Sequence, residues 1–248
     1  MNRAVTGGPE SDAPPHLRLL GTFTLRLGDR AVPAAPAEQR LLAYLAVQHD
    51  PVPRAAAGHA LWPDAEDARA AARLRSALWR LPHPSDRPLV EHRSGTLRLA
   101  PRLRVDTREM EQSAARLAGS GEGELPGPHR FGQDLLPGWD DDWLLTAREW
   151  LRQVRLRALE QLCARHCRAG RTDAALEAGM TAVACEPLRE SAHRMVAAAH
   201  LADGNSAEAL RQYDLYRCLL RDELGLAPST RFRQLMAPLL GRPLDTAG

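Results

Sequence analysis

The sequence predicts a multidomain, mainly α-helical protein, and three observations carry that prediction. Its 248 residues exceed the roughly 100–150 typical of one domain, so two cores are expected. Aromatic residues make up 4% of the chain against 44% hydrophobic residues overall, so alanine and leucine supply most of the apolar mass. Such a composition packs as close helices rather than as a large β-sandwich. Beyond residue 157 the sequence repeats at an offset of 34 residues: Ala158 matches Ala192, Leu162 matches Val196, His166 matches His200, Gly170 matches Gly204, and Ala175-Leu176 matches Ala209-Leu210. A period of that length fits one helix hairpin per repeat.

Residues 1–15, with Gly7, Gly8, Pro9, Pro14 and Pro15, read as a disordered leader. Order should begin at Leu17. Leu17, Leu19, Phe23, Leu25 and Leu27 alternate with Arg18, Thr22, Thr24 and Arg26, the period of half-buried strands, and Gly28-Asp29 turns the chain into a short Ala31-Val32 strand. A small antiparallel sheet is therefore expected first. From Ala37 to His49 the period becomes helical, with Leu41, Leu42 and Leu45 inward and Glu38 in the first turn, where the helix dipole favours it. Asp50-Pro51 stops that helix. A second, alanine-rich helix runs from Pro53 to Leu61 and is closed by Trp62-Pro63.

The third helix is placed at residues 64–81, with Asp64 as N-cap, Glu66 and Asp67 in its first turn, and Pro82 and Pro84 ending it. At about 100° per residue, Leu74, Leu78 and Leu81 share one face with Ala70, Ala71 and Ala77. The opposite side collects Arg69, Arg73, Ser76 and Arg80 at spacings of four, three and four, with Arg75 and Trp79 beside them. Two readings stand for Trp79: packing against a neighbouring hairpin, or an indole presented to phosphate. Leu89 to Arg93 and Thr96 to Leu99 then flank Ser94-Gly95, a two-residue hairpin turn that places Arg93 and Arg98 on its strands.

An arginine-bearing helix face on its own is only a solvated surface. Context changes its meaning. Residues 1–106 hold 15 arginines against 11 acidic groups, a balance of +4, whereas residues 107–248 hold 18 against 20, a balance of −2. Between Arg69 and Arg104, nine arginines face two acids. The chain contains no lysine, so every long cationic side chain is a planar fork able to grip phosphate or guanine with two hydrogen bonds. The order sheet, helix, helix, arginine helix, hairpin is that of a winged helix-turn-helix, whose last helix enters the major groove while the hairpin wing lies on the neighbouring backbone or minor groove. Arg69, Arg73, Arg75, Ser76, Trp79 and Arg80, with Arg93 and Arg98 of the wing, are therefore the expected contacts to double-stranded DNA. Leu74, Leu78 and Leu81 hold the helix on its domain.

Asp106-Thr107-Arg108-Glu109 is a capping-box pattern opening a helix to about Ala118, and Gly119 to Gly138 shows no helical period and reads as a linker or extended loop. A long helix should follow from Trp143 to as far as Ala169, with Trp143, Leu144, Ala147, Trp150, Leu151, Val154, Leu159 and Leu162 on its apolar face. The repeat and a last helix over Pro228 to Leu240 complete an all-α, tetratricopeptide-like domain.

Other clusters have plain structural readings. Cys163 and Cys167 lie one helical turn apart around His166, without a second ligand pair at zinc spacing, so they are expected in the core. Asp140, Asp141 and Asp142 precede a helix and are expected to cap it. There is no phosphate loop, no G-x-S-x-G and no H-E-x-x-H, so neither an enzyme nor a bound cofactor or metal is expected. Nothing at the start has signal-peptide form and no apolar run reaches membrane-spanning length, which predicts a soluble, cytoplasmic protein, and the expected DNA contacts make it a nucleoid-associated one.

With both halves read, the chain resembles the Streptomyces antibiotic regulatory protein type of transcriptional regulator, an OmpR-like winged helix followed by a bacterial transcriptional activator domain. The residues carrying the resemblance are LRLLGTFTLRLGDRAV, LWPD, LRSALWRL and RVDTREM in the first half, and LLPGWDDDWL, EPLRESAHR, GNSAEALRQY and LRDELGLAPS in the second. It covers Leu17 to Leu240, and Pro82 to Pro88 departs from the family pattern in being short and proline-rich. The resemblance implies domains at 16–105 and 106–248, a short single-unit member, and a homodimer on directly repeated promoter sites that helps RNA polymerase begin transcription. A DNA-binding repressor, or an interaction adaptor whose winged helix no longer binds DNA, are the alternative readings.

Overall fold

The computed structural model describes residues 13–83, 88–119 and 124–240. All but the last three residues of the expected leader, and residues 84–87 of the proline-rich connection, lie outside these. The chain forms two compact units: residues 1–111 with 134–151, and residues 112–133 with 152–248.

In the first unit, strands β1 (His16–Arg18), β2 (Thr24–Leu27) and β3 (Arg30–Val32) pair antiparallel as their alternation predicts, with Leu17 opposite Leu25, both buried. The sheet is nevertheless mixed rather than antiparallel throughout. Strand β7 (Arg104–Val105) returns alongside β1 in parallel, giving the order β3-β2-β1-β7. That pairing covers what would otherwise be an open edge, with the Arg104 amide donating to the Pro15 carbonyl at 2.9 Å.

Helix α1 (Pro36–Val47) starts on a proline at its first turn, the position that sacrifices no hydrogen bond, and buries Leu41, Leu42 and Leu45. It ends two residues before His49. Strand β4 (Val52–Pro53) leads into α2 (Arg54–Leu61), which crosses α3 (Asp67–Arg80) where a Cβ on Gly58 would stand 3.6 Å from that of Ala70. Strands β5 (Val90–Arg93) and β6 (Thr96–Leu99) form the wing, joined by Ser94 at φ 48° and Gly95 at φ 79°. Positive φ at both central residues is what a type I′ hairpin demands, and β4 adds to the far side in the order β4-β6-β5.

Helix α4 (Asp106–Ala118) begins where the capping box was expected, but its side chains do other work. The Asp106 carboxylate accepts the amides of Leu19 and Leu20 at 2.9–3.0 Å, and Glu109 accepts from Arg104. Burial pushes the Asp106 carboxyl up, against the lowering effect of those amides. The supposed linker is packed structure over its described part. Phe131, within a 3-10 turn at Pro128–Phe131, is fully buried in the second unit, while Leu135 and Leu136 are buried in the first. Residues 134–151 join the first unit through Leu135 bridging to Leu20, the Leu136 amide on the Leu19 carbonyl, and Arg148 donating to the carbonyls of Leu135, Leu136 and Trp139. A single cut at 105/106 therefore does not separate the two compact units.

Helix α5 (Trp143–Arg168) has residues in both units. Trp150, expected on its buried face, is 54% exposed, with its indole N–H on Glu111. The second unit continues with α6 (Thr172–Cys185), α7 (Glu190–Ala202), α8 (Ser206–Leu224) and α9 (Thr230–Leu240). The repeat is physical. Gly170 and Gly204 each end a helix at φ 67° and 75°, a conformation open to glycine at no cost. The matched pairs Ala158 and Ala192, Leu162 and Val196, and Ala175 and Ala209 are all buried. Gly179 lets α6 approach α7, since a Cβ there would stand 2.7 Å from Val196 Cγ2. Phe232 of α9 closes the stack, edge-on to Tyr213 at 5.0 Å and tilted against Tyr216 at 5.9 Å.

Candidate nucleic-acid interface

Helix α3 starts later than the sequence suggests. Asp64 does not cap it; Pro63 to Ala65 form a turn closed by the Ala65 amide on the Trp62 carbonyl at 3.1 Å. The first helical carbonyl belongs to Glu66, which receives Arg69 and Ala70 at 2.9 Å, leaving Asp67 in the first turn against the dipole. Ala70, Leu74 and Ala77 are buried, and Leu81, although just past the last turn, is buried with them. Leu78 is half-buried. Ala71, expected in the core, is exposed, because the buried stripe is narrower than the leucine spacing implied.

Arg69, Arg73, Arg75, Ser76 and Arg80 are all exposed, so α3 presents its four arginines to solvent. Among the described residues none of these arginines has a hydrogen-bond or ion-pair partner. Arg69, Arg73 and Arg80 fall within about 40° of one another around the axis. They line a groove of about 470 Å³ with Ala72, Ser76 and Trp62, walled by Ala37 of α1. Arg75 lies on the other flank. The Ser76 hydroxyl donates to the Ala72 carbonyl at 3.1 Å, leaving its oxygen free to accept. Trp79 is 82% exposed and does not pack on the wing, which removes one of its two readings.

On the wing, Arg93 is exposed and has no side-chain partner among the described residues, whereas Arg98 is paired across the strands with Glu91 at 2.6 Å. The sequence reading missed Arg54. It opens α2 with its amide on the Gly95 carbonyl of the wing turn at 3.0 Å, and its guanidinium has no partner among the described residues. The available signal was its place as the first basic residue after the Pro51-x-Pro53 break.

The other clusters have quiet roles. Asp141 receives Arg40 and, at 3.2 Å, the Trp143 indole, so its carboxylate is engaged sideways while the main-chain carbonyls of Asp141 and Asp142 begin α5. The expected side-chain capping by this triplet is thus not what Asp141 does. Cys163 is fully buried, and burial, reinforced by neighbouring Cys167, pushes its thiol up to about 12, which leaves it inert at neutral pH. Among the described residues no His, Cys, Asp and Glu group could hold a metal ion, and no helix is long and apolar enough to cross a membrane.

Residues 127–240 match the family described as the bacterial transcriptional activator domain. The structure is similar to that of Mycobacterium tuberculosis EmbR in complex with a low affinity phosphopeptide, with a TM-score of 0.67 at 20% sequence identity, over 94% of this chain and 66% of that one. The chain therefore spans just under two thirds of that protein's length, and at this identity the likeness is one of fold. No curated protein matches the sequence.

Proposed function

We propose that this chain, whose residues 127–240 match the bacterial transcriptional activator domain, is a regulator of the Streptomyces antibiotic regulatory protein type, a winged helix joined to that domain, and that it activates transcription by binding promoter DNA through α3 and the wing. Arg69, Arg73 and Arg80 on one flank of α3 and Arg75 on the other divide between phosphates and base edges. Ser76 accepts from a base amino group, and Trp79 lies against the sugar-phosphate backbone. Arg93 meets the backbone beside the wing, joined by Arg98 once it exchanges Glu91 for a phosphate. That exchange is cheap, because an exposed ion pair is worth about 0–1 kcal/mol. Two copies on direct repeats assist RNA polymerase, in the cytoplasm at the nucleoid.

The observation that supports this reading is the set of four arginines on α3 that have no partner among the described residues, since a cation without an internal acceptor is available to an external polyanion. Genomic fragments selected on the purified protein and titrated by fluorescence anisotropy test it. Each phosphate contact should add about 0.9 to the slope of log affinity against log salt. Retention that ignores salt rules the reading out in favour of the adaptor. In vitro transcription from a selected fragment separates activation from repression.

A further inference from the structure

The second unit contains an open cleft of about 770 Å³, lined by Ser113, Arg116 and Leu117 of α4, Leu125 to Gly127, His129 and Arg130 around the 3-10 turn, and Arg165 of α5. That volume lies within the range of small-molecule sites. Its chemistry is of two kinds. Leu117, itself buried, forms an apolar floor with Leu125 and Pro126. Among the described lining residues three arginines, Arg116, Arg130 and Arg165, accompany that floor with one carboxylate, Glu124. Two of the three are held in place: Arg116 donates to the Ser113 hydroxyl at 3.0 Å, and Arg165 donates to the Gly119 carbonyl. Arg130 has no side-chain partner among the described residues. The His129 ring folds over Gly127 so closely that a Cβ there would stand 2.5 Å from it.

We propose that this cleft is an effector site for a small amphipathic organic anion, its charged end held by Arg130 with Arg116 and Arg165 and its apolar body laid on Leu117, Leu125 and Pro126. Guanidinium forks select a planar anion, carboxylate or phosphate monoester alike. The apolar floor selects against a bare anion, since it gains only when covered. Nothing in this assignment depends on α3 binding DNA.

The test uses the full chain and three probes: octanoate, 1-octanol, which has the same body without charge, and acetate, which has the same charge without the body. Isothermal titration should show saturable octanoate binding about tenfold tighter than either control, as one charge-assisted hydrogen bond and one buried chain each supply. Phenyl phosphate in place of octanoate distinguishes a phosphate ester from a carboxylate as the preferred head. Arg130→Glu, at a side chain without a hydrogen-bond or ion-pair partner among the described residues, should abolish the preference for octanoate over octanol while leaving the melting temperature unchanged. The proposal is overturned if octanoate and phenyl phosphate both fail to saturate, if octanol or acetate binds within about threefold of octanoate, or if Arg130→Glu binds octanoate as the parent does.

Discussion

Arginine is used in opposite ways in α3 and in the helices of the second unit. In α3 the four guanidinium groups have no acceptor among the described residues. Along α5 to α9, Arg152 pairs with Glu186, Arg189 with Glu160, Arg194 with Glu190, Arg211 with Glu208, and Arg217 with Asp214. Five arginines of those helices are thus satisfied internally, whereas the four of α3 have no acceptor among the described residues. Net charge would have hidden this, because +2 over the whole chain describes neither. Substitutions in the second unit should therefore cost stability, and substitutions on α3 should cost binding.

The largest effect tests the stability side. Phe232→Ala removes a fully buried ring that touches two tyrosines and should destabilise the second unit by about 3–5 kcal/mol, measured by urea denaturation. Next, Arg73→Ala with Arg80→Ala should weaken duplex DNA binding by about 100-fold and flatten the salt dependence by about two contacts, with the melting temperature unchanged. A loss of stability in that variant would erase the contrast.

Glu160→Gln probes a paired arginine directly. Burial would raise this carboxyl, but hydrogen bonds from Arg189 and Ser191 hold it below its usual range. A depressed carboxylate contributes stability above its unfolded pKa, about 4.3, and that contribution fades as pH falls through the folded value. The substitution should cost about 1–3 kcal/mol at pH 7, with the gap from the parent closing in melts taken below the ordinary carboxylate range. The smallest effect concerns the wing, where Glu91→Gln releases Arg98 and should tighten DNA binding by no more than about fivefold, in line with the small worth of an exposed pair. A loss of affinity would instead mean that Glu91 positions Arg98 for its contact.

The features that were legible in the sequence are local ones. The outward arginines of α3, the Ser94-Gly95 turn and the paired glycines of the repeat each follow from spacing or from the φ that a turn demands, and nothing distant alters them. Asp106 shows the opposite case. Its pattern with Glu109 is that of a capping box, yet its carboxylate serves amides 86 and 87 residues earlier in the chain, a choice set by where β1 ends. Trp150 likewise followed the apolar period of α5 and is nonetheless half-exposed, because a 26-residue helix with residues in both units does not bury one continuous face. Leu135-Leu136 was the available clue to the packed loop: two adjacent large apolar residues are out of place in a free linker.

The return of residues 134–151 to the first unit has a consequence for synthesis. A nascent chain that has reached Glu111 has made β1 to β7, but Leu136, whose amide donates to the Leu19 carbonyl, Leu135, which bridges to Leu20, and Asp141, which receives Arg40, have not yet been translated. At about 5–20 residues per second, the forty residues to Leu151 take roughly 2–8 s. During that interval the winged helix has an unsealed flank, and residues 112–133 of its neighbour have already emerged. The order of translation therefore closes the first unit only after the second has begun, so neither is a finished module that the ribosome hands over before starting the other.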